Sequence, residues 1–93
     1  MTHTIEENEQ RRAVIGIDVS KDKFDACCID GNGKELFRVS APMDSTGFDG
    51  LAQKIRTHGL IQGNVVAGME STGCYHLNLF SFLTGMNFQC LII

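Results

Sequence analysis

The stretch "AVIGIDVSKDK", Ala13 to Lys23, decides how the rest of the chain is read. Its first seven residues are mostly branched or small apolar side chains, interrupted by one aspartate, Asp18. A short run of this kind predicts a strand over Ala13–Val19, apolar on both faces as central parallel strands are. A charge in such a run is costly unless it is paired, hydrogen-bonded or metal-bound. Asp18 is therefore the residue that needs a reason.

Working outward, Lys23–Asp30 and Lys34–Ser40 read as two further strands. "DGNG", Asp30 to Gly33, lies between them and is a hairpin signal, because Gly and Asn tolerate positive φ. Pro42 breaks the pattern. In "DSTGFDGLAQKIRTHG" that follows, Phe48, Leu51, Ala52 and Ile55 fall on one helical face. Ser45 or Thr46 is expected to cap this helix and Gly59 to end it. "NVVAGME", Asn64 to Glu70, predicts a fourth strand ending in a carboxylate. Tyr75, Leu79, Phe82, Leu83 and Met86 trace a second helix, with Leu77 and Phe80 adding apolar residues on its other sides. This helix is expected to be well buried and to stop at Gly85. Phe88–Ile93 predicts a fifth strand. The order βββαβαβ predicts an α/β fold: a mixed five-stranded sheet in the order 3-2-1-4-5, of ribonuclease-H-like topology.

The length of 93 residues allows one domain, placed at residues 13–93. The polar start "MTHTIEENEQRR", residues 1–12, is expected to be disordered and has no apolar centre of a signal peptide. No apolar run is long enough for a membrane helix, and the default expectation is a cytoplasmic protein. A net charge of −3 argues against an autonomous nucleic-acid-binding module, but not against a catalytic domain gripping DNA through other parts. Cys27, Cys28, Cys74 and Cys90 lack paired zinc spacings and read as buried reduced thiols. The chain stops at "FQCLII" inside an apolar run, which suggests the N-terminal fragment of a larger domain.

"GIDVS" and "GMEST" share the pattern G-x-[D/E]-x-[S/T]. Residues two apart on a strand face the same way, so Gly16 sits beside Asp18 and Gly68 beside Glu70. Each glycine leaves room next to a carboxylate. If strands 1 and 4 are parallel neighbours, both carboxylates emerge at one edge, roughly 4.8 Å apart. Two hard oxygen donors so placed can share Mg²⁺, which takes one or two carboxylates and keeps sites for substrate phosphates. Plainer readings stand beside this one. Asp18 could cap the turn after strand 1, and Glu70 could sit at the positive end of the second helix.

Other residues are candidate nucleic-acid contacts. Lys21 and Lys23 could meet phosphates, although surface lysines commonly serve solubility. Ser71 and Thr72 have no visible base partner and read as caps rather than nucleophiles. Tyr75 and His76 open the second helix near Glu70, and His76 is expected to be exposed.

"IGIDVSKDKFDACCID" and "GMESTGCYHLNLFSFL" together, in this order, resemble the DEDD transposases of bacterial insertion sequences and their Piv-like relatives, the pilin-gene inversion recombinases. The resemblance runs from about Ala13 to the end. It implies a RuvC-like catalytic domain that uses four acidic residues and Mg²⁺ (or Mn²⁺) for DNA strand cleavage and transfer. Asp18 matches the first acidic residue and Glu70 the second. The other two, spaced D-x-x-D, and a C-terminal domain with a catalytic serine have no counterpart in these residues. The resemblance also implies DNA as partner, a homo-oligomer and a structured guide RNA. With half of the acidic set, the 93 residues alone are expected to be inactive and to hold metal only weakly.

Two rivals remain. A sugar-kinase or actin-like ATPase domain also opens with a strand, an Asp and a hairpin. Its phosphate loop, however, needs glycines after the Asp, where "VSKDK" stands here. A non-enzymatic dimerisation scaffold is the other, suggested by the apolar second helix and the open edge of strand 5.

Overall fold

The computed structural model describes residues 12–61, 63–70 and 73–93. The expectations for the polar N-terminus, for Ser71 and for Thr72 lie outside the described residues. β1 (Ala13–Val19), β2 (Lys23–Ile29) and β3 (Glu35–Pro42) form an antiparallel meander. α1 (Ser45–Thr57), β4 (Val65–Met69), α2 (Leu77–Gly85) and β5 (Gln89–Ile92) follow. The five strands form one mixed sheet in the order β3-β2-β1-β4-β5, with β4 parallel to both β1 and β5.

The turns follow from their residues. Between β2 and β3, Asp30 Oδ1 accepts the N–H groups of Asn32 and Lys34, each at 2.9 Å, and Gly33 takes φ +84°. Asp44, rather than Ser45 or Thr46, caps α1, and its carboxylate accepts the Gly47 N–H at 2.9 Å. All three residue types can cap. What selects Asp44 is its extended backbone, which turns the oxygen back onto the first turn. Asp44→Ala should cost about 1 kcal/mol, readable as a lowered urea midpoint at unchanged slope. The end of α1 matches the expectation. Gly59 takes φ +72°, and the Leu60 N–H reaches back to the Ile55 carbonyl at 3.1 Å.

The core lies on one side of the sheet. Ala13, Ile15 and Ile17 of β1, Phe24, Ala26 and Cys28 of β2, and Val65, Ala67 and Met69 of β4 are buried there. α1 buries Phe48, Leu51, Ala52 and Ile55 against this side. Phe48 also joins the layers, with ring centroids 6.2 Å from Phe24 of the sheet and 5.4 Å from Phe82 of α2. Burying a large apolar side chain contributes about 1.5–3 kcal/mol, so this stripe accounts for where α1 sits.

The opposite side is bare among the described residues, which corrects the expectation that β1 is covered on both faces. Val14 is 45% exposed, and Gly16 and Asp18 share its face. The topology explains this. The connections β3 to β4 and β4 to β5 step the same way across the sheet. Right-handed crossovers taken in one direction land on one face, and only that face receives helices.

α2 is less enclosed than expected. Leu79 and Leu83 are buried, Phe80, Phe82 and Met86 are half-buried, and Leu77 is exposed. Gly85 is its last residue, and the chain then turns at Asn87, φ 66°. Of the cysteines, all free, Cys28 is buried, Cys27 and Cys90 are half-buried, and Cys74 is exposed rather than buried. Burial pushes the Cys28 thiol up to about 11 and raises that of Cys90, which leaves both as inert packing groups.

Candidate functional site

β1 and β4 run parallel in a register that pairs Gly16 with Gly68 and Ile17 with Met69. The next step along each strand is Asp18 and Glu70. Both carboxylates line one open concavity of about 540 Å³ on the bare face, at the C-terminal ends of the two strands. Gly16 and Gly68 lie side by side as its floor. A methyl added at Gly16 would meet nothing within 4 Å, and one at Gly68 only the Ile93 Cδ1, at 3.7 Å. Neither glycine is required by packing. A strand glycine loses backbone entropy and side-chain contacts, so a bare pair facing open space is best explained by what approaches it.

The plainer readings of the two carboxylates do not match the geometry. Asp18 does not cap its turn: the hairpin is closed by Ser20, whose N–H and hydroxyl both donate to the Lys23 carbonyl at 2.9 Å. The first turn of α2 contains no acidic residue, and Glu70 precedes that helix by seven positions (77 − 70). Both carboxylates are exposed, and no Lys or Arg pairs with either among the described residues.

The register also brings in residues that the sequence reading passed over. Asp25 is the direct cross-strand partner of Asp18, so a third carboxylate stands in the same row. Like charges directly opposite each other are unfavourable without a cation between them. One row away, Arg38, Cys27, Gly16, Gly68 and Leu91 run across the sheet as successive partners. Arg38 and Cys27 line the concavity too. The signal for them was period two in β2: Lys23, Asp25 and Cys27 alternate with buried Phe24, Ala26 and Cys28. Only the register turns that alternation into neighbours of Asp18.

The other candidates lie elsewhere. Lys21 and Lys23 are exposed in the β1–β2 hairpin but do not line the concavity. Tyr75 is exposed and leans its ring over Gly73, which takes φ +60°. His76 corrects the expectation of an exposed histidine. It is only 6% exposed, and its Nδ1 has no hydrogen-bond partner among the described residues. It precedes α2 in helical conformation, and its side chain is buried rather than presented to a phosphate.

The fold is similar to that of several solved structures. A Bacteroides thetaiotaomicron protein with an actin-like ATPase fold and unknown function matches at TM-score 0.71 and 18% identity, over 99% of this chain and 36% of that one. Pelota from Archaeoglobus fulgidus matches at TM-score 0.58 and 13% identity, over 99% and 29%. An exopolyphosphatase from Cytophaga hutchinsonii matches at TM-score 0.51 and 12% identity, over 88% and 34%. The likeness at these identities is one of fold alone, and the chain spans about a third of the length of these proteins. No curated protein matches it. No described helix is long and apolar enough to cross a membrane. A transposase family model, by contrast, matches residues 15–93, a span that holds both glycine-carboxylate motifs and every residue of the concavity. By that match the chain belongs to the DEDD transposases of the IS110 type.

Proposed function

We propose that Asp18 and Glu70 are two ligands of a Mg²⁺ (or Mn²⁺) site at which a ribonuclease-H-like, RuvC-like domain cleaves and transfers DNA strands. The observation that carries this reading is the register, which puts the two carboxylates one step beyond Ile17 and Met69 on adjacent parallel strands.

The residues fit such an ion. They are hard oxygen donors, exposed, free of cationic partners among the described residues, and set above a glycine floor open to a ligand. Among the described residues, no three His, Cys, Asp or Glu side chains gather closely enough to form a complete metal cage. Mg²⁺ does not need one, since one or two carboxylates and substrate phosphates suffice to hold it. The two further aspartates that the resemblance implies have no match after Glu70, because residues 71–93 contain no Asp or Glu.

Asp18 and Glu70 stand at the strand ends, where the sheet backbone fixes their separation. Gly16 and Gly68 let a nucleic-acid backbone come down to the sheet. The bound ion supplies Lewis-acid stabilisation of the attacking and leaving oxygens of a phosphodiester. The test is a Mn²⁺ titration followed by amide NMR signals. Paramagnetic broadening should centre on Gly16–Val19 and Gly68–Glu70 and disappear in both Asp18→Asn and Glu70→Gln. Broadening that ignores either substitution would sink the shared site.

A second reading, a nucleotide site as in actin-like ATPases, is favoured by the first of the fold likenesses. The β1–β2 turn opposes it. Ser20, Lys21 and Asp22 include no glycine and no positive φ, and the Ser20 N–H is already bonded to Lys23. A phosphate-cradling loop needs free backbone N–H groups there. An ATP-dependent rise in melting temperature would favour it.

A further inference from the structure

On a regular strand, residues three apart point to opposite faces. Glu35 and Arg38 of β3 are three apart, yet the Arg38 guanidinium bonds Glu35 Oε1 at 2.8 Å. The cause is a bulge. Cys28 pairs with Phe37, but Ile29 pairs with Glu35, so Leu36 is an extra residue in β3. The bulge re-aims Glu35 onto the bare face, where the Cys27 thiol also donates to the same oxygen at 3.5 Å. The Arg38 bond holds the Glu35 carboxyl below the usual range.

Among the described residues, Arg38 is the only Lys or Arg lining the concavity that holds Asp18 and Glu70. Its pair with Glu35 is open to water, with side chains 68% and 49% exposed. Such a pair contributes little to stability and is easily exchanged. A guanidinium, with its planar fork of donors, suits a phosphate as well as a carboxylate.

We infer that Arg38 is a phosphate-binding residue of this cleft, that Glu35 occupies it in the free protein, and that a DNA backbone phosphate displaces Glu35. The inference rests on the proposed DNA-cleaving role of the same concavity. Arg38 lies two strands across and one row along from Asp18, about 12 Å at sheet spacings. That distance is about three nucleotides of B-form rise, so the phosphate gripped is a flanking one rather than the reacting one. Arg38 is then a substrate-binding residue that sets the path of the strand over the Gly16–Gly68 floor.

The experiment measures binding of a short fluorescent DNA duplex by anisotropy, as a function of salt, with metal chelated. Arg38→Ala should weaken binding about fivefold and lower the log–log salt slope by about 1. Arg38→Lys, which keeps the charge, should retain the slope. Glu35→Gln, which frees Arg38, should tighten binding. A pair that serves only the fold would leave the slope alone and give the Glu35 variant no gain. An unchanged slope in Arg38→Ala, or weaker binding by Glu35→Gln, overturns the inference while leaving the carboxylate site standing. A dependence on Arg38 seen only with RNA of the same sequence overturns it for DNA. Failure of the unaltered protein to bind DNA at all overturns the inference together with the reading beneath it.

Discussion

Gly47→Ala is expected to lower the melting temperature by about 15 °C, whereas Gly50→Ala, one turn further along the same helix, is expected to raise it by a few degrees. The two glycines differ only in what surrounds them. A Cβ at Gly47 would run into the carbonyl oxygen of Pro42, with the Pro42 carbonyl carbon and nitrogen at 3.0 and 3.1 Å. These are backbone atoms at the end of β3 and cannot rotate away. The helix must shift, and Phe48, the next residue, carries that shift into the contacts with Phe24 and Phe82. Overpacking of this kind costs about 3 kcal/mol. At Gly50 an added methyl meets nothing within 4 Å, and removing a mid-helix glycine stabilises by about 0.5–1 kcal/mol. Thermal melts of the two variants side by side decide the matter. A Gly47→Ala protein as stable as the parent would show that the close approach of β3 and α1 is not rigid.

The second large effect concerns the carboxylates. In a transposase carrying these residues, Asp18→Asn and Glu70→Gln are each expected to reduce transposition about a thousandfold, equivalent to about 4 kcal/mol of transition-state stabilisation. Neither substitution should unfold the chain, because both side chains are exposed and lack ion-pair partners among the described residues. The sharper measurement is the double variant. Two ligands of one ion act as a unit, so losing both should cost little more than losing either. Fully multiplicative losses would mean that the two carboxylates serve separate steps, and the shared site would have to be abandoned.

Much of the fold was legible because it is written in periods. Alternation in β2 and the stripe Phe48, Leu51, Ala52, Ile55 each depend on nearby residues, which sequence displays directly. The strand order followed from the element order and the handedness of crossovers. The cap of α1 was misassigned because Asp44, Ser45 and Thr46 are chemically interchangeable there, and only the backbone angle separates them. The bare face was missed because Val14 is as apolar as Ile15, and composition does not say which side receives helices. Asp18 and Glu70 were legible as neighbours because each follows its glycine by two residues. Asp25, Glu35 and Arg38 were not, because their place depends on cross-strand register and a bulge between Cys28 and Ile29. His76 shows the converse. A polar residue before a helix reads as exposed, and only the packing of the chain around it turns it inward.

The parallel pairing of β1 with β4 has a consequence in time. The three-stranded meander is local, and hairpins of that kind close within microseconds. Asp18 and Glu70 are 52 positions apart (70 − 18), and they meet only after the connection through α1 has been laid across the sheet. Such long-range contacts are slow to form, because loop-closure entropy is lost before they give anything back. The carboxylate pair is therefore among the last features of this sheet to assemble. A chain emerging half-folded presents a finished hairpin in which Asp18 faces Asp25, and Glu70 joins that row only as the tertiary structure is completed.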